Sequence, residues 1–185
     1  MAKDTCFEGV TPENIDNCPN AESAAGLSLR AQYIPAAFIE TMTLPAKTGK
    51  LEEIVKIASG GITLKSDKKW SGIDLVMNEN ELKEVLVGGI GNQKGQVELT
   101  IQIPNFGLKP LGFKRRFANI PMVWNIPDSN GKNWIIGTKF SPAMIESAES
   151  TTGKAYEDKA TNTFTIKANT YVYLYEGEIV EGEAA

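Results

Sequence analysis

Between Gly95 and Asn105 the chain reads GQVELTIQIPN, and no other stretch constrains its fold as tightly. Val97, Leu99, Ile101 and Ile103 alternate without a break with Gln96, Glu98, Thr100 and Gln102. Strict period two is the signature of a half-buried strand, with one face on a core and the other wet. A register slip of one residue would bury the polar set instead, so the pattern fixes which face goes inward. Pro104 ends the segment, because it has no N–H to offer a ladder.

Several other segments repeat the theme. In TNTFTIKA, Phe164, Ile166 and Ala168 alternate with Thr163, Thr165 and Lys167. In TYVYLYEGEIV, Tyr171, Tyr173 and Tyr175 share a face opposite Val172 and Leu174. The apolar runs Ile120–Ile126 and Asn133–Phe140 flank Asp128-Ser129-Asn130-Gly131, and Asn-Gly supplies the positive φ of a tight hairpin. GIDLVMNENELKEVLVGG reads as two strands around Asn78–Asn80, because Val, Ile and Leu crowd both ends, with a strand and a short helix as the alternative. LEEIVKIASGGITLK is ambiguous: Leu51, Ile54, Val55 and Ala58 fit a helical face, Gly60 and Gly61 break it, and Ile62 and Leu64 fit a short strand. One helix is expected over 107–119, GLKPLGFKRRFAN, with Pro110 in its first turn and Phe113 and Phe117 on one face. Residues 141–160 read as a polar loop or short helix with a turn at Thr152-Gly153-Lys154. Seven to nine strands with one helix make a mainly-β fold: a β-sandwich or small β-barrel with one flanking α-helix.

The 185 residues suit one domain and can bury a core without disulfide or metal. Residues 1–26 carry few large apolar side chains and read as an extended N-terminal arm that orders on a neighbour, leaving 27–185 as the single domain. Both cysteines, Cys6 and Cys18, fall in this arm; they read as two free thiols, with a disulfide pinning the arm as the alternative, while a structural zinc site lacks ligands. The acids Asp4, Glu8, Glu13, Asp16 and Glu22 leave no apolar core for a signal peptide, and no run reaches the length of a membrane span. The expectation is a chain made and soluble in the cytoplasm, with no membrane partner.

Histidine is absent, which removes the Ser-His-Asp and Cys-His nucleophile pairs and histidine-held zinc and haem. The motifs that remain are weak. Gly88-Gly89-Ile90-Gly91-Asn92-Gln93-Lys94-Gly95 lacks both dinucleotide and P-loop spacing and precedes a strand, so it reads as a hairpin loop. Asp128–Gly131 lacks the distal glutamate of a calcium loop. Glu157 and Asp158 are adjacent loop acids with no acid set opposite. No catalytic residue, cofactor or metal ligand is expected. Lys109, Lys114, Arg115 and Arg116 form a basic band with no acid between Glu98 and Asp128, whereas the arm and the C-terminal residues Glu176, Glu178, Glu181 and Glu183 are acidic. A solvated helix face, a subunit contact and nucleic-acid binding all fit the band. Lys109, Lys114, Arg115, Arg116, Glu178 and Glu181 are the candidate subunit-contact residues.

The stretch from about Asn119 to Ile179 resembles the C-terminal half of the tail-tube-like virion proteins of tailed bacteriophages. The likeness is carried by the apolar strand, the turn at Asp128–Gly131, the strand closing on Ile136-Gly137, the loop with Thr152-Gly153-Lys154 and Asp158, and the terminal hairpin. Residues 1–50 have no counterpart in it. The resemblance implies a major tail tube protein: six copies would join their sheets into a ring with a continuous inner barrel, and rings would stack into a tube in the virion tail after assembly in the host cytoplasm. Partners would then be other copies of the chain and other virion proteins, with DNA passing non-specifically through a cation-poor lumen. A capsid-associated or head–tail connector protein is the alternative within that class. A β-sandwich enzyme or carbohydrate-binding module, stacking ligands on Trp70, Trp124 or Trp134, is the alternative outside it.

Overall fold

In the computed structural model, residues 12–15 and 25–182 are described; Cys6, Cys18 and most of the arm lie outside them. The strands are β1 (Arg30–Pro35), β2 (Ile39–Met42), β3 (Lys56–Ile57), β4 (Ile62–Leu64), β5 (Ser71–Asp74), β6 (Glu81–Val87), β7 (Lys94–Pro104), β8 (Met122–Pro127), β9 (Asn133–Ile136), β10 (Met144–Thr151), β11 (Thr161–Ala168) and β12 (Tyr173–Tyr175). One α-helix, α1 (Leu108–Phe117), follows β7.

These strands form a six-stranded sheet in the order β3-β12-β9-β8-β1-β5, a four-stranded sheet in the order β10-β11-β7-β6, and the two-stranded ribbon β2-β4. The fold is a β-sandwich, and no sheet among the described residues closes into a barrel. Val97, Leu99, Ile101 and Ile103 of β7 and Phe164, Ile166 and Ala168 of β11 meet Met122, Trp124 and Ile126 of β8 in the main core. The alternation in β7 is therefore realised as read, with Val97, Leu99 and Ile101 fully buried. The far face of the six-stranded sheet contributes Ile34, Val123, Ile135 and Tyr175 to a second core under the β2-β4 side. Burial on both faces explains why β8 is apolar at Met122, Val123, Trp124 and Ile126 rather than alternating, with Asn125 the buried polar exception.

The hairpin over Asp128–Gly131 forms as expected. Gly131 takes a φ of 78°, and β8 and β9 pair antiparallel across it. The helix also forms where the sequence places it. Its last turn carries Lys114, Arg115 and Arg116, favourable beside the negative end of the helix dipole. Phe113 and Phe117 close one end of the sandwich: Phe113 meets Tyr33, Trp124 and Phe164 edge-on or tilted, with ring centroids 5.1, 6.3 and 5.5 Å away.

Three expectations are corrected. Residues 141–160 are not a loop or helix throughout, because Met144–Thr151 forms β10, the edge of the four-stranded sheet. The twelve strands exceed the seven to nine expected, since β2 and β3 are too short to leave a periodic signal and β10 reads as a loop. The ambiguous segment at residues 51–65 holds a short 3-10 turn at Glu53–Val55 and the two small strands β3 and β4, not an α-helix.

Candidate functional site

The four-stranded sheet is covered on one side only. Its residue pairing sets out the other side row by row: Glu81, Thr100, Thr165 and Ser147 stand in one line, and Lys83, Glu98, Lys167 and Met144 in the next. Gln102, Thr163 and Glu149 make a third. Lys83 and Lys167 are held by acids, while Lys94, opposite Val87 on the same face, forms no ion pair among the described residues. Lys167 Nζ lies 2.7 Å from Glu146 and 3.3 Å from Glu98, and Lys83 Nζ lies 2.7 Å from Glu81. The centre of the wet face is thus a surface of hydroxyls, amides and carboxylates in which Lys83 and Lys167 are charge-compensated, with Met144, Val85 and Val87 toward its edges.

Among the described residues both lateral edges of this sheet are without a strand partner, because β6 pairs only with β7 and β10 only with β11. The β6 edge is unusually apolar for an exposed strand: Val85, Leu86 and Val87 are 46, 57 and 38% exposed, and Ile90 in the following turn is wholly exposed. The Gly88–Gly95 loop is the β6–β7 hairpin, as read from the sequence, with Gly88 at φ 116°. Soluble proteins ordinarily blunt such an edge with charge, proline or a covering segment.

The candidate contact residues do not gather into one site. Lys109, Arg115 and Arg116 stand exposed on α1, while Lys114 reaches across to the Ser150 hydroxyl at 2.8 Å. Glu178 is exposed and forms no ion pair among the described residues. Glu181 is engaged within its own chain. It accepts from Arg30 Nη2 at 2.5 Å and from Gln32 Nε2 at 2.8 Å, and Arg30 also reaches Asp74 at 2.6 Å. These bonds pin the C-terminal segment where Glu181 bridges to Trp70, just before β5. Arg30 and Gln32 were not singled out in the sequence; their partner is 151 and 149 positions away, and no local pattern marks such a pair.

The perturbed titrations all move away from neutrality. Arg30, hydrogen-bonded by Glu181 and Asp74, is pushed further up, and it holds the Glu181 carboxyl below its usual range against the opposing effect of burial. Burial works to raise Asp128, but the Trp134 indole N–H at 3.0 Å and the backbone N–H groups of Asn130 and Lys132 bring it below its usual range. Asp158 is lowered by the backbone N–H groups of Ala155 and Lys154. Burial pushes the Tyr33 hydroxyl up. Each of these carboxylates fastens a turn or the chain terminus. Among the described residues, no group of His, Cys, Asp or Glu could hold a metal ion.

Trp70 and Trp124 are buried and cannot present a stacking surface; Trp134 is half-buried with its indole on Asp128. A carbohydrate platform built on these rings is therefore not what the fold provides. An open cleft of about 520 Å³ lies at one end of the four-stranded sheet, between Phe140, Met144, Gln96 and Asn169. A groove runs along α1, where cavities of about 360 and 310 Å³ share Tyr33, Lys109 and Phe113. No helix among the described residues is long and apolar enough to cross a membrane.

No protein family matches the chain, and no curated protein does. A chain in a solved structure described as the virion of a native gene transfer agent particle is similar over 57% of this chain and 88% of that one. The identity is 9% and the TM-score 0.39, a likeness too slight to establish a shared fold.

Proposed function

We propose that this chain is a structural subunit of a phage-type virion, the major tail tube protein, which assembles with copies of itself into stacked rings around a DNA-conducting lumen. The observation that carries this is the four-stranded antiparallel sheet with two edges unpaired among the described residues and one wet face on which Lys83 and Lys167 are paired with acids. Its four strands alternate in direction, so β6 and β10 run antiparallel to each other. A neighbour related by rotation then sets its β6 beside this β10 with antiparallel sense preserved, and the sheet continues from copy to copy. Such a contact is head-to-tail, and it makes a ring when the rotation closes. The exposed Val85, Leu86 and Val87 are buried by the same step, which gives the edge its driving force. The wet face would line the lumen, where threonine, glutamine and the acid-paired Lys83 and Lys167 offer DNA little cationic grip, Lys94 being the cation there without an ion pair among the described residues. The ring of six and the stacking follow from the tail-tube resemblance.

Val85→Lys combined with Val87→Lys tests the edge. Both side chains are on the wet face of an outer strand, so the variant should melt within about 0.5 kcal/mol of the parent. In sedimentation, the parent should form rings or longer polymers and the variant should remain a monomer. A parent that stays a compact monomer at high concentration, or a variant that assembles as well as the parent, refutes edge pairing.

A further inference from the structure

The groove along α1 has a distinctive chemistry. Its floor is aromatic, from Tyr33, Phe113 and Phe117, and Lys109 and Arg116 stand on its rim. Neither cation forms an ion pair among the described residues. Asp74, also at the groove, is already taken by Arg30 at 2.6 Å. The groove is thus shaped for an anionic segment that carries an aromatic side chain.

We propose that the occupant is the segment Asp4-Thr5-Cys6-Phe7-Glu8 of a second copy of this chain, an inference that rests on the self-assembly proposed above. The chemistry matches position by position. In an extended segment Phe7 points to one side, toward the aromatic floor, and Asp4 and Glu8 to the other, toward the rim. Asp4 and Glu8 are then about 13 Å apart. Lys109 and Arg116, seven positions apart on the helix, are separated by about 10 Å along its axis. The placement of the groove favours a neighbour over the segment's own chain. Glu13 accepts a hydrogen bond from the Leu51 N–H at 3.1 Å, which fixes that part of the chain near β3. The groove is lined by Gly72, Ile73 and Asp74 of β5, and β3 and β5 are the opposite edges of the six-stranded sheet. Five strand spacings put those edges about 24 Å apart. From Glu13 to Phe7 the extended chain spans only about 20 Å, too short to bring Phe7 to the groove of its own chain, so the groove it fills belongs to another copy.

Disulfide trapping in the full chain tests this. Cys6 and Cys18 are the chain's two cysteines, so Cys18→Ser leaves Cys6 as the single native reporter. Gly112→Cys adds the second thiol beside the groove, where a new Cβ meets nothing within 4 Å. On mild oxidation, assembled protein should give a ladder of disulfide-linked chains on a non-reducing gel. Lys109→Glu with Arg116→Glu should reduce the linked fraction about fivefold, as expected for two exposed ion pairs reversed. Adding Asp4→Lys and Glu8→Lys to that variant should restore the ladder. Circular dichroism melts of each variant establish that the fold is intact. Assemblies that sediment normally but give no ladder overturn the docking and leave self-assembly standing. A link formed only within single chains overturns docking on a neighbour. Absence of both assembly and ladder overturns the two together.

Discussion

Glu181 shows how one side chain can hold a chain terminus. Arg30 grips both its carboxylate oxygens, Gln32 adds a third donor, and the segment around it is thereby tied to β1 and to Trp70. Its pKa is lowered in the fold, so it contributes stability that is present above the ordinary carboxylate value of about 4.3 and is lost as pH falls through the lower folded value. Because the Arg30 side chain is 46% exposed, the pair is screened, and Glu181→Gln should cost no more than about 1 kcal/mol at neutral pH. Urea unfolding of parent and variant at neutral pH and again below about pH 4 should show the gap narrowing in acid. An equal gap under both conditions would mean that packing, not charge, is what Glu181 supplies. Nothing in the sequence announces this contact, since pairing across 151 positions leaves no local trace. The buried Trp124 and the turn at Asp128 were legible, because burial and turn chemistry are written in the residues themselves.

At the scale of elements, legibility follows regularity. β7 keeps strict alternation over its whole length and was readable in both extent and orientation. β10 was not, for two physical reasons. It is an edge strand with few buried side chains, and its register shifts between Ile145 and Ser147, which breaks the period just where the pattern would be counted. The helix was legible because Phe113 and Phe117 lie four apart and the first turn accepts Pro110. A pair of substitutions in β7 tests the two faces. Ile101 is fully buried, so Ile101→Asp puts an unpaired charge in the main core and should abolish folding. Thr100 faces outward directly opposite Glu81, so Thr100→Asp should leave the fold intact at a cost of about 0.2–1 kcal/mol from like-charge pairing. Thermal melts followed by circular dichroism separate these outcomes. Equal tolerance of both changes would contradict the assigned faces.

At the scale of the molecule, the three β layers differ in how much of their polar backbone is settled. The six-stranded sheet is buried between two cores, and its β5 end is fastened by the Arg30–Glu181 contacts. The four-stranded sheet is left with a wet face and two edges unpaired among the described residues, one of them apolar. A sandwich or small barrel could be inferred from strand count and alternation, but which of the two forms and which edges stay open could not, because that depends on strand order and on β10. In the proposed assembly the open edges are what turn the domain into a subunit. Electron cryomicroscopy of the assembled protein measures the consequence directly. Edge pairing predicts that β6 of one copy lies about 4.8 Å from β10 of the next, antiparallel, in a sheet that runs unbroken around the ring. Assemblies in which β6 and β10 both face solvent, or are covered by anything other than each other, would contradict it.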